Sequence, residues 1–390
     1  MNANPQGPLA GVKVIEIAGI GPGPFCAMLL ADMGAQVLRI DRADRVDTPQ
    51  EREARFEIPH RGRPSVAMNL KHPEAVATLR GLLRETDVLI EGFRPGVMER
   101  LGLGPEACAE INPRLVYGRM TGWGQSGPLA QRAGHDINYI ALTGALHAIG
   151  PAEGGPVPPL NLLGDFAGGS LYLAYGIVCA LLERQSSGRG QVVDGAIIDG
   201  THSLMAFIHA AHARGDWRTE RASNMLDGGR PWYGVYETAD GKHVAIGAIE
   251  RPFYAELLHK LGLDPDTLPG QHDAAGWPEL QARLAAVFRT RTRDDWCTLL
   301  QDSDACFAPV LDMDEAPQHP HNRARGAFVE VAGVNQPAPA PRLSRTPGAI
   351  AGPAAHAGQH TRAALAAWGL DLKAVDALLS SGAAAQSRRP

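Results

Sequence analysis

Val12-Lys13-Val14-Ile15-Glu16-Ile17, then Ala18-Gly19-Ile20-Gly21-Pro22-Gly23, decide the fold when read together with the residues that follow them. The first stretch alternates as a strand does, the second is a Gly-rich turn, residues 24–33 carry helical spacing, and residues 36–40 are a second short strand. Strand, helix and strand within about thirty residues make a βαβ unit, which requires parallel strands. Residues 73–85 repeat the helical pattern with Val76, Leu79, Leu82 and Leu83, and strands follow at 88–90, 115–117 and 191–194. The expected architecture is α/β, a large doubly wound, mostly parallel (Rossmann-like) sheet with helices on both faces.

Two further regions complete the expectation. Residues 168–182 are nearly all apolar and helix-forming, too short to cross a bilayer comfortably, and read as a buried or interface helix. Beyond a charged stretch at 214–221, Val235-Tyr236-Glu237-Thr238, the turn Ala239-Asp240-Gly241-Lys242 and His243-Val244-Ala245-Ile246 form a hairpin signal, followed by helices at 253–261 and 277–288. The predicted division is a discontinuous large domain at 1–200 and 315–390, a linker at 201–224 and a smaller α+β domain at 225–314. Pro309-Val310-Leu311 and the Pro-rich stretch at 337–347 mark the return to the large domain, and residues 380–390 read as a frayed tail.

Composition narrows the function classes. The chain has 390 residues, 44% hydrophobic, with a formal net charge of -5. That balance argues against a general nucleic-acid partner, which needs many phosphate-facing cations. The start, Met1-Asn2-Ala3-Asn4-Pro5, has neither a basic nor an apolar leader region, so a cytosolic (cytoplasmic) protein with no membrane partner is expected. Cys26, Cys108, Cys179, Cys297 and Cys306 lack metal or disulfide spacing, and His319-Pro320-His321 lacks companion ligands. No metal is expected. A small polyanion would need a local cluster of cations, for which Arg39, Arg42, Arg45, Arg61, Arg63 and Lys71 are candidates.

Gly134-His135-Asp136-Ile137-Asn138-Tyr139 and Pro159-Leu160-Asn161-Leu162-Leu163-Gly164-Asp165-Phe166 place a histidine and a carboxylate in Gly-flanked segments that do not read as core. Such a pair can act as two acid/base groups on one carbon. Taken singly, His135 reads as structural or surface, Asp165 as a cap of the apolar helix after it, and Glu250 as a residue ahead of a helix near Pro252. Gly19-x-Gly21-x-Gly23 with Asp41 further on suggests dinucleotide binding, but Pro24 breaks the required spacing and Arg42 suits a phosphate better than a ribose. No nicotinamide cofactor is expected.

Together with Ile20-Gly21-Pro22-Gly23-Pro24, Glu91-Gly92-Phe93-Arg94-Pro95-Gly96, Met120-Thr121-Gly122-Trp123-Gly124-Gln125, Asn224-Met225-Leu226-Asp227-Gly228-Gly229 and Gly247-Ala248-Ile249-Glu250, these segments resemble the α-methylacyl-CoA racemases. Those form a branch of the family III CoA-transferase (CaiB/BaiF) superfamily, and the resemblance runs from about residue 8 to 346. It implies an isomerase of 2-methylacyl-CoA thioesters acting through an enolate, with CoA as part of the substrate and no separate cofactor. It further implies an interlocked homodimer whose active sites form at the junction of large and small domains. His135 and Asp165 become the catalytic pair, Glu250 the carboxylate that orients the histidine, and the Asp136 amide an oxyanion donor. Arg42, the segment Met68-Asn69-Leu70-Lys71 and Gly134, Asp136, Ile137, Asn138 and Tyr139 become the coenzyme contacts, with Arg94 a further candidate for the nucleotide or pantetheine arm.

The alternative within the superfamily is a CoA-transferase with Asp165 as nucleophile. Transferases commonly lack the histidine and often carry a glycine-run loop in the small domain, which is absent here. Two departures from the racemase pattern bear on the site. Arg230-Pro231-Trp232-Tyr233 stands where a small residue and a second tyrosine are usual, which adds charge and bulk toward the acyl pocket, and Pro64 replaces a usual basic residue, which removes one phosphate contact.

Overall fold

The computed structural model describes residues 7–49 and 53–389, so the reading of the first five residues lies outside the described residues. Two compact units emerge, Met1–Thr143 with Leu160–Leu204 and Ala324–Pro390, and Gly144–Pro159 with Met205–Arg323.

Strands β1 (Lys13–Ile17), β2 (Gln36–Arg42), β3 (Ser65–Met68), β4 (Val88–Glu91), β5 (Val116–Thr121) and β6 (Val192–Ala196) belong to the first unit. In the second, β7 (Tyr233–Glu237), β8 (His243–Gly247) and β9 (Phe307–Pro309) make an antiparallel sheet. Back in the first unit, β10 (Phe328–Val331) pairs with β11 (Val334–Pro337), and β12 (Ala384–Ala385) joins the large sheet. The order of that seven-stranded sheet is β12-β3-β2-β1-β4-β5-β6. All neighbours run parallel except β12 against β3. The sequence order reverses between β1 and β4, the topological switch point where open α/β sheets bind ligands beyond the strands' carboxyl ends.

Both faces of the sheet are covered, which is why its strands read as near-continuous apolar runs. In β1, Ile15 enters a core with Leu38, Val66, Leu89 and Leu365, while Val14 enters the opposite one with Val37, Val88, Leu173 and Ile177. The second unit has its own core around Trp232, Tyr236, Leu284, Phe288 and Trp296.

Several expectations need correction. The first helix is Pro22–Asp32, because proline's fixed φ and missing N–H suit the first helical position. The apolar helix begins well before residue 168. A π-helical stretch Leu162–Leu171 runs into an α-helix Tyr172–Ser187, giving 26 residues, long and apolar enough to pass as a membrane span by length and composition. Its Gly169 and Gly176 instead sit in close packing: an added Cβ would come within 2.9 Å of Ile197 and 2.6 Å of Val193. Asp165 is therefore inside the first turns of this helix and does not cap its start. Of the two segments expected to mark the return, 309–311 stays in the second unit, where Pro309 ends β9, while 337–347 lies in the first. Within the segment read as a linker, Ala206–Ala213 is a helix. The expected frayed tail is helical to Ser381 and then supplies β12, with Ala384 opposite Met68, while Pro390 lies outside the described residues.

Half of the expected cation cluster is structural. Arg39 bonds Asp41 at 2.7 Å, Arg61 bonds Asp32 at 2.5 Å, and Arg63 stands 3.4 Å from Glu16, all three arginines being buried. Arg63 also donates to the carbonyls of Pro24 and Pro59, and Arg61 to Gln336 and Pro337, so they tie the first helix and the returning chain to the sheet. A buried charge is tolerated only when partnered in this way.

Candidate active site

Three elements meet at the switch point. Beyond β1, Gly21 precedes the helix Pro22–Asp32 with φ +68, a conformation that favours glycine, and a Cβ there would stand 3.3 Å from Asp165 Oδ2. The turn after β1 thus lies directly against the Asp165 carboxylate. Ser170, fully buried, donates to Pro22 O at 2.8 Å and Asp165 O at 3.0 Å, which locks the π-helical turn to that helix. Phe166 stacks on Phe25 with ring centroids 4.6 Å apart. The wide turn of a π-bulge is a recurrent device at functional sites.

The second element is the helix Asp136–Leu142, with His135 at its N-cap in an extended conformation. The His135 N–H donates to Asn138 Oδ1 at 3.0 Å and its carbonyl accepts from Asn138 N at 2.8 Å, leaving the exposed imidazole to project from a fixed backbone. Asp136 is buried, and its Oδ2 accepts the Asp165 amide at 2.7 Å. Gly164 makes this possible, because a Cβ there would fall 2.3 Å from that same oxygen. Burial pushes the Asp165 carboxyl above the usual carboxylate range; a hydrogen bond from Asn161 at 3.3 Å opposes this, the Asp136 charge adds to it, and the nearby His135 opposes it. His135 and Asp165 are therefore brought together electrostatically.

Tyr139 is a support residue of the same site. Its hydroxyl donates to the Gly134 carbonyl, and its ring meets Trp123 edge-on at 4.7 Å. A Cβ at Gly122 would lie 2.0 Å from the Tyr139 ring and one at Gly134 2.7 Å from it. Tyr139 and Trp123 fill the space that a Cβ at Gly134 would take, so the fold itself requires glycine there. Ile137 and Asn138 are exposed on the outer side of the first turn. Arg94, exposed after β4, the third element, lies near enough to lower the Tyr139 hydroxyl pKa, which burial and then Asp165 raise.

Of the other expected coenzyme contacts, Arg42 ends β2, is exposed, and is held by Asp44 through two bonds of 2.9 and 2.5 Å. Met68 is 1% exposed and packs in the core, so only its backbone could face a ligand. Asn69 is exposed and accepts from Lys71 N at 3.1 Å, which shapes the turn after β3. Leu70 and Lys71 line a cavity of about 430 Å³ with Arg80 and Arg100, a basic recess. The latter two were missed by sequence reasoning, because isolated arginines on separate helices carry no local signal. Asp41, the carboxylate of the dinucleotide reading, accepts from Arg39 and from Ser65 at 2.5 Å and is engaged inside the fold.

In the second unit, Glu250 is the N-cap of the helix Arg251–Leu261, exposed and without a side-chain cap bond. Its charge raises the pKa of Cys306, which burial raises first. The bulk expected toward a pocket at position 232 is turned into the core. Trp232 is 2% exposed within the core, and Arg230 stacks on Trp277 at 4.0 Å while donating to Ser223 O and Gly229 O. Among the described residues no group of three His, Cys, Asp or Glu is placed to hold a metal ion.

The family model for CoA-transferase family III matches residues 9–361. The chain is 48% identical over 340 residues to the alpha-methylacyl-CoA racemase of Mus musculus, covering 87% of each. It is 46% identical over 343 residues to the Homo sapiens protein of the same name, again covering 87% of each. Among solved structures, a CaiB/BaiF family protein from Brucella suis superposes with a TM-score of 0.81 at 26% identity, covering 93% of this chain and all of that one.

Proposed function

The chain belongs to CoA-transferase family III, and from that premise we propose that it is an isomerase, a racemase of 2-methylacyl-CoA thioesters at C2. The observation that carries the reading is the junction of the two motif segments. His135 and the half-buried, pKa-raised Asp165 are joined through the Asp136 carboxylate and the Asp165 amide. The α-proton of a thioester is far less acidic than any side-chain group, so its removal depends on stabilising the enolate oxygen, here assigned to the amide of Asp136.

In one direction neutral His135 takes the Cα proton, the C–H electron pair becomes the enolate, and protonated Asp165 returns its own proton to the opposite face. Imidazolium and carboxylate remain, and proton exchange with solvent resets the pair. The opposite epimer uses the same groups in reverse. Glu250 is assigned the support of the imidazolium, by the logic of a catalytic triad. Arg42, the Asn69–Lys71 turn, Arg80 and Arg100 are assigned the anionic end of CoA, and Arg94 the pantetheine arm. No cofactor beyond the substrate's own CoA is invoked, and we place the enzyme in the cytosol as a homodimer without a membrane partner. Exposed Leu171, Tyr175, Val178 and Leu182 recur at helical spacing and form an apolar stripe suited to a second copy.

The rival reading, CoA transfer with Asp165 as nucleophile, is favoured by the family's name. Incubating one epimer of a 2-methylacyl-CoA in deuterated water separates the two. Racemisation gives epimers approaching equality with deuterium at Cα. Rapid CoA transfer to a free carboxylic acid without Cα exchange would replace it.

A further inference from the structure

Residues 381–389 close one edge of the large sheet and also reach the loops beyond its strands. Arg42 pairs with Met68 across β2 and β3, and Met68 pairs with Ala384 of β12, so the three lie in one row. The carboxyl ends of β2 and β3, which lead into segments assigned to the anionic end of CoA, are therefore level with this tail. All of these residues belong to the first unit.

The tail bonds both segments. Beyond β3, the Asn69 amide donates to Ala383 O at 2.9 Å, and Ser381 Oγ donates at 2.6 Å to Glu74 Oε2, on the helix Pro73–Leu83 that follows the Asn69–Lys71 turn. Beyond β2, Asp47 accepts the Ser387 hydroxyl at 2.6 Å on Oδ1 and the Arg388 amide at 3.0 Å on Oδ2, and Arg389 donates to Thr48 O at 3.5 Å. Bonds to a carboxylate are the stronger, charge-assisted kind. Ser387 is itself fixed: it is 6% exposed, its amide donates to Gly358 O at 3.1 Å, and its Oγ accepts the Arg389 amide at 3.0 Å. Thr361 Oγ1 donates to Ala385 O at 2.7 Å and accepts the Ala67 amide at 3.0 Å, which ties the tail to β3. Asp47 has φ +54, a left-handed conformation that Asp adopts more readily than most residues and that persists where its surroundings hold it. Arg42 is exposed and bonded to Asp44 on the same loop, so where it points depends on where that loop lies.

We infer that Ser387 and Asp47 are positioning residues, through which the tail clasps the loop after β2 and holds Arg42 where the nucleotide end of CoA is bound. The inference rests on the proposed function for the assignment of Arg42 to that end. Neither Ser387 nor Asp47 is assigned a part in the chemistry, so their loss weakens nucleotide binding and leaves proton transfer alone. A loop that has to be ordered as the ligand binds costs affinity that a loop already ordered does not.

The test measures the affinities of CoA, adenosine 3′,5′-bisphosphate and pantetheine by calorimetry on wild type, Ser387→Ala and Asp47→Asn, with the urea midpoint of each as a check of folding. Asparagine keeps the left-handed backbone but replaces one of the two acceptor oxygens with a donor. Both variants are expected to bind CoA and the bisphosphate about three- to tenfold more weakly and pantetheine as wild type does. KM for the acyl-CoA should rise with kcat held. Adding Ser387→Ala to Arg42→Ala should weaken CoA little further, because the clasp acts through the Arg42 loop. Unchanged CoA affinity in both folded variants would overturn the inference. Equal weakening of all three ligands would do the same, since the tail would then support the fold in general. Racemisation is followed separately: a wild type that binds CoA without racemising removes the proposed reaction, while the affinities still decide the clasp.

Discussion

The Asp136 carboxylate accepts the Asp165 backbone amide at 2.7 Å, so a side chain from one motif holds the main chain of the other. The bond fixes where the Asp165 carboxyl begins, and the same carboxylate raises its pKa through charge, second to burial among the causes that raise it. Position and protonation of Asp165 are thus coupled through one residue.

Asp136→Asn is expected to keep an acceptor for that amide while removing the charge. An anion beside Asp165 favours its protonated form, so its loss lowers the Asp165 pKa. The limb of the pH–rate profile governed by that group should move to lower pH, with KM little changed. Asp136→Ala leaves the amide without its acceptor and is expected to cost about 1–3 kcal/mol in stability, read by denaturant melts. An unmoved profile in Asp136→Asn would remove the charge coupling from the account.

Gly122→Ala tests the packing behind the histidine. Its Cβ would be 2.0 Å from the Tyr139 ring, which cannot yield without breaking its bond to Gly134 and its edge contact with Trp123. Overpacking of this kind costs about 1–3 kcal/mol. A lowered Tm and a lowered kcat are expected together, and Tyr139→Leu in the same chain should restore part of the stability. Full wild-type stability of Gly122→Ala alone would contradict the contact.

The arginines separate into two groups that one experiment tells apart. Arg42→Ala removes an exposed cation and is expected to raise KM for the acyl-CoA with kcat held, because binding shared by ground and transition states is lost. Arg63→Met leaves Glu16 buried without its cation and is expected to destabilise the fold by about 3–5 kcal/mol. Comparing KM with the midpoint of urea unfolding for each variant checks the assignment. The reverse pattern would show that Arg63 faces ligand.

The βαβ opening was legible in the sequence because Val14 and Ile15 serve opposite buried faces and the turn after them is Gly-rich. The division between binding and structural arginines was not. Arg61 and Arg63 meet Asp32 and Glu16 across 29 and 47 positions, and no local pattern encodes such pairs. The π-helical turn was hidden for a similar reason, since Ser170 sets it by bonding Pro22, far back in the chain. The tail misled because β12 is two alanines held by backbone pairing, which leaves no side-chain signature. His135 and Asp165 lie in Gly-flanked segments that do not read as core, but taken singly they read as structural residues, and only the resemblance of their segments to a family singled them out as a pair.

The division of labour between His135 and Asp165 is the sharpest remaining test. If they stand on opposite faces of the enolate, His135→Ala abolishes racemisation yet leaves Asp165-driven deuterium exchange from one epimer, and Asp165→Ala leaves exchange from the other. Glu250→Gln keeps a hydrogen-bond acceptor but removes the charge that supports an imidazolium, so it should resemble a weaker His135 lesion with the same epimer preference. Asp165 lies in the first turn of its helix, where a carboxylate is worth about 0.3–1 kcal/mol, so circular dichroism and a melt must accompany each variant. Near-wild-type racemisation in either alanine variant would end the two-base assignment. Loss of exchange in both folded variants through a common rise in KM would make the pair a binding element instead.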